Sequence, residues 1–205
     1  MKTCVLNITP GKIVKYHDKP CMVLEHRQDG TLLVVTEQIK YKFGPSNNFA
    51  ASPLRAHLNA NFLDSLTLGH PDEIITRTVD LTALNGSTEY GTVECKLAPL
   101  TLDELREYHD ILLRPEAFEW SVTPWSTPKV DEDDKWVLGL GTYGGLHHYY
   151  CSATYGSRPA FLIPSALTVE VDGDDGQEGQ EAPNPLAAYS KLELVEELYR
   201  REWVE

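Results

Sequence analysis

No apolar run in this chain approaches the ~18 residues that a membrane-crossing helix requires, so no membrane association is expected. There is no C-x-x-C pair. The four cysteines, Cys4, Cys21, Cys95 and Cys151, are scattered, which disfavours a zinc knuckle. Single buried or half-buried thiols in a reducing compartment are the expectation. No G-x-S-x-G, P-loop or dinucleotide fingerprint is present. Basic residues are few: 18 Lys and Arg stand against 31 Asp and Glu, for a net charge of −13. Phosphate backbones are bound by Lys and Arg, so no direct nucleic-acid partner is expected. The acidity fits solubility or a basic partner. No internal repeat is found.

What is present suits one soluble globular core. At 205 residues, 41% hydrophobic and 24% charged, the chain is long enough for one core and short for two. Met1 to Ile8 holds one lysine, no long apolar stretch and no small-residue cleavage site. The expectation is therefore a protein without a secretory signal, cytoplasmic when synthesised.

The first third reads as a β-meander. Strands are predicted at Lys12–Tyr16, Cys21–Arg27 and Thr31–Thr36, with turns at His17–Pro20 and Gln28–Gly30. Asp-Gly is a strong hairpin signal because glycine accepts a positive φ. Ser52 is a natural N-cap and Pro53 a natural first helical residue. Leu54, Leu58, Phe62 and Leu66 follow at spacings of four, with Leu63 beside them. Strands are expected at Ile74–Leu81 and Val93–Leu97. Thr101 to Glu104 is a capping box that opens a helix to about Leu112. From Phe118 the chain is β-rich and aromatic, and Asp131 to Asp134 reads as a charged hairpin tip. Strands at Pro159–Ile163 and Ala166–Val171 close the body. Residues 172–184 form an acidic, glycine-rich linker. Residues 185–205 form an amphipathic helix whose face carries Leu192, Val195, Tyr199 and Trp203, a docking surface for a partner or a second copy.

Several elements recur together in one known group. Leu33-Val34-Val35-Thr36-Glu37 matches a "leu-val-thr-glu" strand. Ser46-Asn47-Asn48-Phe49, continuing to Phe62, matches S-N-N-W-x-x-S-x-L-R-x-W-L-N-x-x-F. Cys95 to Thr101 is a leucine-rich lead-in, Trp120 to Pro124 a W-x-L-x-x-P strand, and Arg158-Pro159-Ala160 an R-P-A closure. Over roughly residues 10 to 171 the chain thus resembles an uncharacterised domain family of gut bacteria and their phages. Phe49 and His57 stand where that family has tryptophans. The resemblance implies an α+β, C-type-lectin-like fold over residues 1–171: twisted antiparallel sheets with two helices, related to the formylglycine-generating enzymes. Those enzymes need a cysteine pair, and only Cys151 falls in the comparable region. Calcium-dependent sugar binders use E-P-N or Q-P-D and W-N-D elements, and neither appears here.

His147-His148 invites a metal reading, but neighbours on a strand point to opposite faces. The other histidines lack H-x-x-x-H or H-E-x-x-H spacing. Asp172-x-Asp174 starts like a calcium loop, yet Gln177 and Pro183 stand where glycine and glutamate are needed. No metal, cofactor or catalytic residue is expected. Arg158, held extended by Pro159, either pairs with a carboxylate inside the fold or projects into a groove. The structural role is the expectation for Arg158 and for Arg55. Tyrosine and tryptophan give rigid contact area at low entropic cost. The Gly- and Tyr-rich run from Gly139 to Tyr155 is therefore the candidate recognition loop, with Trp125, Tyr143, His147, Tyr149 and Tyr150 as ligand-binding residues. The expected function is a non-catalytic module binding a protein or glycan, in a phage, mobile-element or virion setting. The alternative is an acidic inhibitor, resembling a DNA mimic, of a basic nucleic-acid-binding protein.

Overall fold

A computed structural model describes residues 2–131 and 134–171. The expected linker over 172–184 and helix over 185–205, with Leu192, Val195, Tyr199 and Trp203, lie outside the described residues. In chain order the strands are β1 (Lys2–Cys4), β2 (Ile13–Tyr16), β3 (Lys19–Arg27), β4 (Gly30–Val35), β5 (Tyr41–Lys42), β6 (Arg77–Asp80) and β7 (Thr92–Cys95). They continue with β8 (Glu119–Pro124), β9 (Trp136–Leu140), β10 (Leu146–Tyr150), β11 (Thr154–Tyr155), β12 (Ala160–Ile163) and β13 (Thr168–Glu170). The helices are α1 (Pro53–His57), α2 (Leu63–Thr67), α3 (Leu102–Glu107) and the single turn α4 (Pro128–Asp131). The architecture is α+β: a six-stranded sheet β1-β13-β2-β3-β4-β12, a three-stranded sheet β10-β9-β8, two two-stranded ribbons and a few short helices. All pairings within the sheets are antiparallel. Among the described residues no helix is long and apolar enough to cross a membrane.

Alternation along the central strands builds two cores from one sheet. Cys21, Val23, Leu33, Val35, Phe161 and Ile163 face the side covered by Leu54, Leu58, Leu63 and Leu66. Their neighbours Met22, Leu24, Leu32, Val34, Ala160 and Leu162 face Leu100, Leu105 and Tyr108. With both faces covered, β4 is buried throughout, and its one polar side chain, Thr31, is hydrogen-bonded to His26 and Ser165.

The turns are tighter than the sequence suggests. His17-Asp18 alone joins β2 to β3, so Lys19 and Pro20 already pair with Tyr16 and Lys15. His17 takes φ +52°. Its ring is held at 2.9 Å from Glu73 Oε2, which also accepts from Tyr16 Oη at 2.9 Å. Gln28-Asp29 joins β3 to β4, and Gly30 pairs with Arg27 inside the ladder. Gly30 is therefore not present for a positive φ. A Cβ there would lie 2.5 Å from the carbonyl oxygen of Ile163, so its role is the close approach of β12.

The first helix also departs from simple periodicity. Ser52 Oγ caps α1 by accepting from Arg55 N at 3.0 Å. A π-turn over Leu58–Phe62 then separates α1 from α2. The extra residue rotates the inward position from Phe62 to Leu63, and the buried stripe becomes Leu54, Leu58, Leu63 and Leu66. The capping box at Thr101 is complete: Glu104 N donates to Thr101 Oγ1 at 3.1 Å, and Thr101 N to Glu104 Oε2 at 3.0 Å. The helix it opens stops at Glu107, short of Leu112, because the chain turns at Tyr108 to bury that ring. Asp131 ends the helical turn α4 within the connection that joins β8 to its antiparallel partner β9, so the acidic run begins in a hairpin connection as expected.

A polar cluster seals the edge of the second core. Arg27 Nε donates to Glu25 Oε2 at 2.6 Å and its Nη2 to Tyr108 Oη at 2.7 Å, while Tyr108 Oη donates to Glu25 Oε2 at 2.8 Å. Arg77 Nη1 donates to Glu104 Oε1 at 2.6 Å. Burial works to raise the Glu25 pKa, but the bonds from Arg27 and Tyr108 outweigh it and hold the carboxyl below its usual 4.5. A depressed carboxylate contributes stability that is present above its unfolded pKa and lost as pH falls through the folded one. Glu25→Gln is thus expected to flatten the loss of thermal stability below pH 4.5. Melting curves across that range would show it, and an acid limb as steep as the parent's would exclude Glu25 as the titrating group.

Candidate functional site

Arg158 is an interior residue, 5% exposed. Its Nε donates to Glu119 Oε2 and its Nη2 to Glu119 Oε1, both at 2.6 Å. The two parallel bonds match the planar fork of guanidinium to carboxylate. Gln38 Nε2 lies 3.4 Å from Glu119 Oε2 and donates to Ala117 O at 2.8 Å. The pair ties the segment entering β12 to the first residue of β8, where Trp120 N donates to Gly156 O at 2.8 Å.

The polar residues of the Ser46–Phe62 element hold backbone. Asn47 Nδ2 donates to Ser126 O at 2.9 Å and Trp136 O at 3.0 Å, and its Oδ1 accepts from Tyr90 Oη at 2.8 Å. Asn59 Oδ1 accepts from Lys96 N and Leu97 N, and its Nδ2 donates to Arg55 O and Leu97 O. Arg55 donates to Ala50 O and Glu94 O, each at 3.1 Å. Phe49 is fully buried, and His57 stacks on Tyr41 with centroids 4.3 Å apart.

The β9–β10 hairpin is the exposed aromatic feature. Register pairs Leu146 with Leu140, His148 with Leu138 and Tyr150 with Trp136. Side chains of paired residues share a face. On that face His148 lies 4.3 Å from Trp125 and 5.0 Å from Trp136, and Tyr150 lies 3.9 Å from Trp136, centroid to centroid. On the other face Tyr149 packs edgewise on Phe118 at 4.6 Å and reaches Tyr155 at 4.9 Å. His147 lies there too, so close to Gly141 that a Cβ would meet its ring at 2.8 Å. Tyr143 stands at the tip, 89% exposed, beside Gly144 at φ +82°. The structure therefore divides the sequence candidates: Trp125 and Tyr150 on one face, His147 and Tyr149 on the other, Tyr143 between.

A cleft of about 750 Å³ opens beside the tip. Leu105, Leu112, Leu140 and Leu146 line it, with Tyr143 and Gly144 on one rim and Arg106, His109, Asp110 and Arg114 on the other. Arg106 is paired with Asp103 and His109 with Asp110, each at 3.0 Å. Exposed Arg114 has no hydrogen-bond or ion-pair partner among the described residues. Leu146 and His148 lie within the loop that the sequence marks but are not among its expected ligand-binding residues, and Trp136, Arg106 and Arg114 lie outside it. Only the hairpin register and the fold of the segment after α3 bring them together, and neither has a local signal.

Among the described residues no three His, Cys, Asp or Glu side chains are placed to hold a metal ion. Cys21, Cys95 and Cys151 are buried, Cys4 is half-buried, and none is bridged. Burial pushes the Cys95 thiol pKa up even beside the Arg77 and Arg55 guanidiniums. No family model, no curated protein and no solved structure matches the chain.

Proposed function

We propose that this chain is a non-catalytic binding module of C-type-lectin-like fold and phage or mobile-element type, recognising a protein or glycan through the β9–β10 hairpin. The observation that carries this reading is the joining of exposed Tyr143 to a cleft lined by leucines and by the charged side chains of Arg106, Asp110 and Arg114. Rigid aromatics beside a concave apolar surface with a few fixed charges are what a recognition site requires. Synthesis in the cytoplasm, with later association with a virion, is compatible with it. The alternative inhibitor reading depends on clustered acids. Residues 172–205 hold ten Asp and Glu against three Lys and Arg, more than half of the net charge. An inhibitor mimicking nucleic acid would therefore act through that segment, and its binding would vanish at moderate salt.

The test is a glycan array and a displayed library of linear peptides, each probed with the parent and with Tyr143→Ser/Tyr150→Ser. Both tyrosines are exposed, so the variant is expected to fold. At least a tenfold loss of binding is expected on whichever library responds. Binding that the double variant leaves unchanged would remove the hairpin as the site.

A further inference from the structure

We propose that the outer edge of β10 receives an extended peptide as an added strand, with an acidic residue of that peptide at Arg114. The inference rests on the binding reading of the hairpin and specifies its ligand.

The ladder shows which backbone groups are free. Gly141 N donates to Gly145 O, and Cys151 N to Lys135 O, both at 2.8 Å. These two bonds bracket the β9–β10 pairing and fix its parity: odd-numbered residues of β10 exchange hydrogen bonds with β9. Leu146, His148 and Tyr150 therefore direct their N–H and C=O groups away from β9, at the open edge of the sheet β10-β9-β8. Of these, among the described residues, only Tyr150 O is taken, by Ala153 N at 2.9 Å. The remaining groups recur every second residue, about 6.8 Å apart, which is the repeat of an incoming strand.

Among the described residues nothing blunts this edge. Protected edges carry lysine, proline, a bulge or a cover. β10 reads Leu-His-His-Tyr-Tyr, pairs with β9 without a register shift, and is exposed at all five positions. The edge strand β1, by contrast, is three residues long and carries Lys2. Main-chain pairing along such an edge gives affinity, and side-chain pockets on alternate positions give selectivity. One flank of β10 offers the row Trp125, His148, Trp136 and Tyr150 to apolar side chains. At the Leu146 end that row meets the cleft, where Arg114 has no ion-pair partner among the described residues. In a chain of net charge −13 an unpaired arginine beside an apolar cleft selects an acidic group. The occupant is therefore a peptide of alternating apolar residues with Asp or Glu at the Leu146 end. A second copy of the chain fits less well, because two bodies of charge −13 repel.

The probe is a displayed library of random linear 12-residue peptides, with enriched sequences synthesised and measured by fluorescence polarisation. His148→Pro removes an outward N–H and leaves the β9 ladder intact, since proline is accepted on an edge facing solvent. His148→Ala keeps that donor and removes the ring. Enriched peptides are expected to alternate apolar residues and end in Asp or Glu. Binding should fall at least tenfold with His148→Pro, less with His148→Ala, and about tenfold with Arg114→Gln. If His148→Pro does not fold, N-methylation of alternate peptide residues makes the same test from the other side. Peptides that bind His148→Pro or survive N-methylation undiminished overturn strand addition, peptides that enrich without acids overturn the role of Arg114, and both leave the hairpin reading standing. Failure to enrich any peptide, or signal on the glycan array alone, overturns the peptide ligand. A dimer seen by sedimentation and dissolved by His148→Pro assigns the edge to a second copy instead. Binding unchanged by Tyr143→Ser/Tyr150→Ser removes both proposals.

Discussion

Arg158→Ala is expected to destabilise the body by about 3–5 kcal/mol, the loss typical when one partner of a buried ion pair is removed. Glu119 would keep its place, 5% exposed, without the guanidinium that neutralises it. Glu119→Ala should cost a similar amount. The double variant should cost well under the sum, because no charge is then left buried alone. Urea denaturation of the three variants measures this. The cleft beside the hairpin does not include Arg158, so peptide binding by the folded fraction should not change. A stable Arg158→Ala variant that has lost only binding would return this arginine to a ligand site.

Trp120→Ala is expected to cost about 3–5 kcal/mol, the usual range for truncating a large core aromatic. Trp120 is 2% exposed and lies within 6 Å, centroid to centroid, of Phe43, Phe118 and Tyr155. Its Nε1 donates to Tyr41 O at 3.2 Å. Phe118 and Tyr155 in turn support Tyr149 on the inner face of the hairpin. The damage should therefore reach β10, seen as loss of near-ultraviolet circular dichroism and weaker peptide binding. Trp120→Phe should retain most of the stability. A loss below about 1 kcal/mol in Trp120→Ala would mean that the surrounding rings collapse into the space.

Local signals were legible where the physics is local. The Ser52 and Thr101 caps depend on residues three or four positions away, and both stand where the sequence puts them. The strand expected over Thr31–Thr36 forms as β4, and the structure shows it buried throughout. What was not legible depends on partners distant in sequence. Nothing near Arg158 names Glu119, which lies 39 residues away. The role of Gly30 is set by Ile163, and its Asp-Gly context pointed to a turn residue instead. Spacings of four marked Phe62 as inward, but one π-turn gives that place to Leu63. Two-residue β5 is too short to carry a periodic signal, and exists because β11 pairs with it. For the site, the sequence marks aromatic content correctly but cannot divide it between faces without the register of β9 against β10.

The distribution of thiols gives the chain a built-in reporter of its own opening. Only Cys4 is half-buried, its Sγ donating to Ser165 O at 3.0 Å, while Cys21, Cys95 and Cys151 are sealed in the interior. A maleimide applied to the native protein therefore meets one reactive position, and the other three become accessible only as their surroundings come apart. Cys21 lies in β3, Cys95 at the end of β7 and Cys151 just after β10, and all three pack into the same core. Counting which of them reacts, and in what order, would chart how that core opens at three points without introducing a new residue.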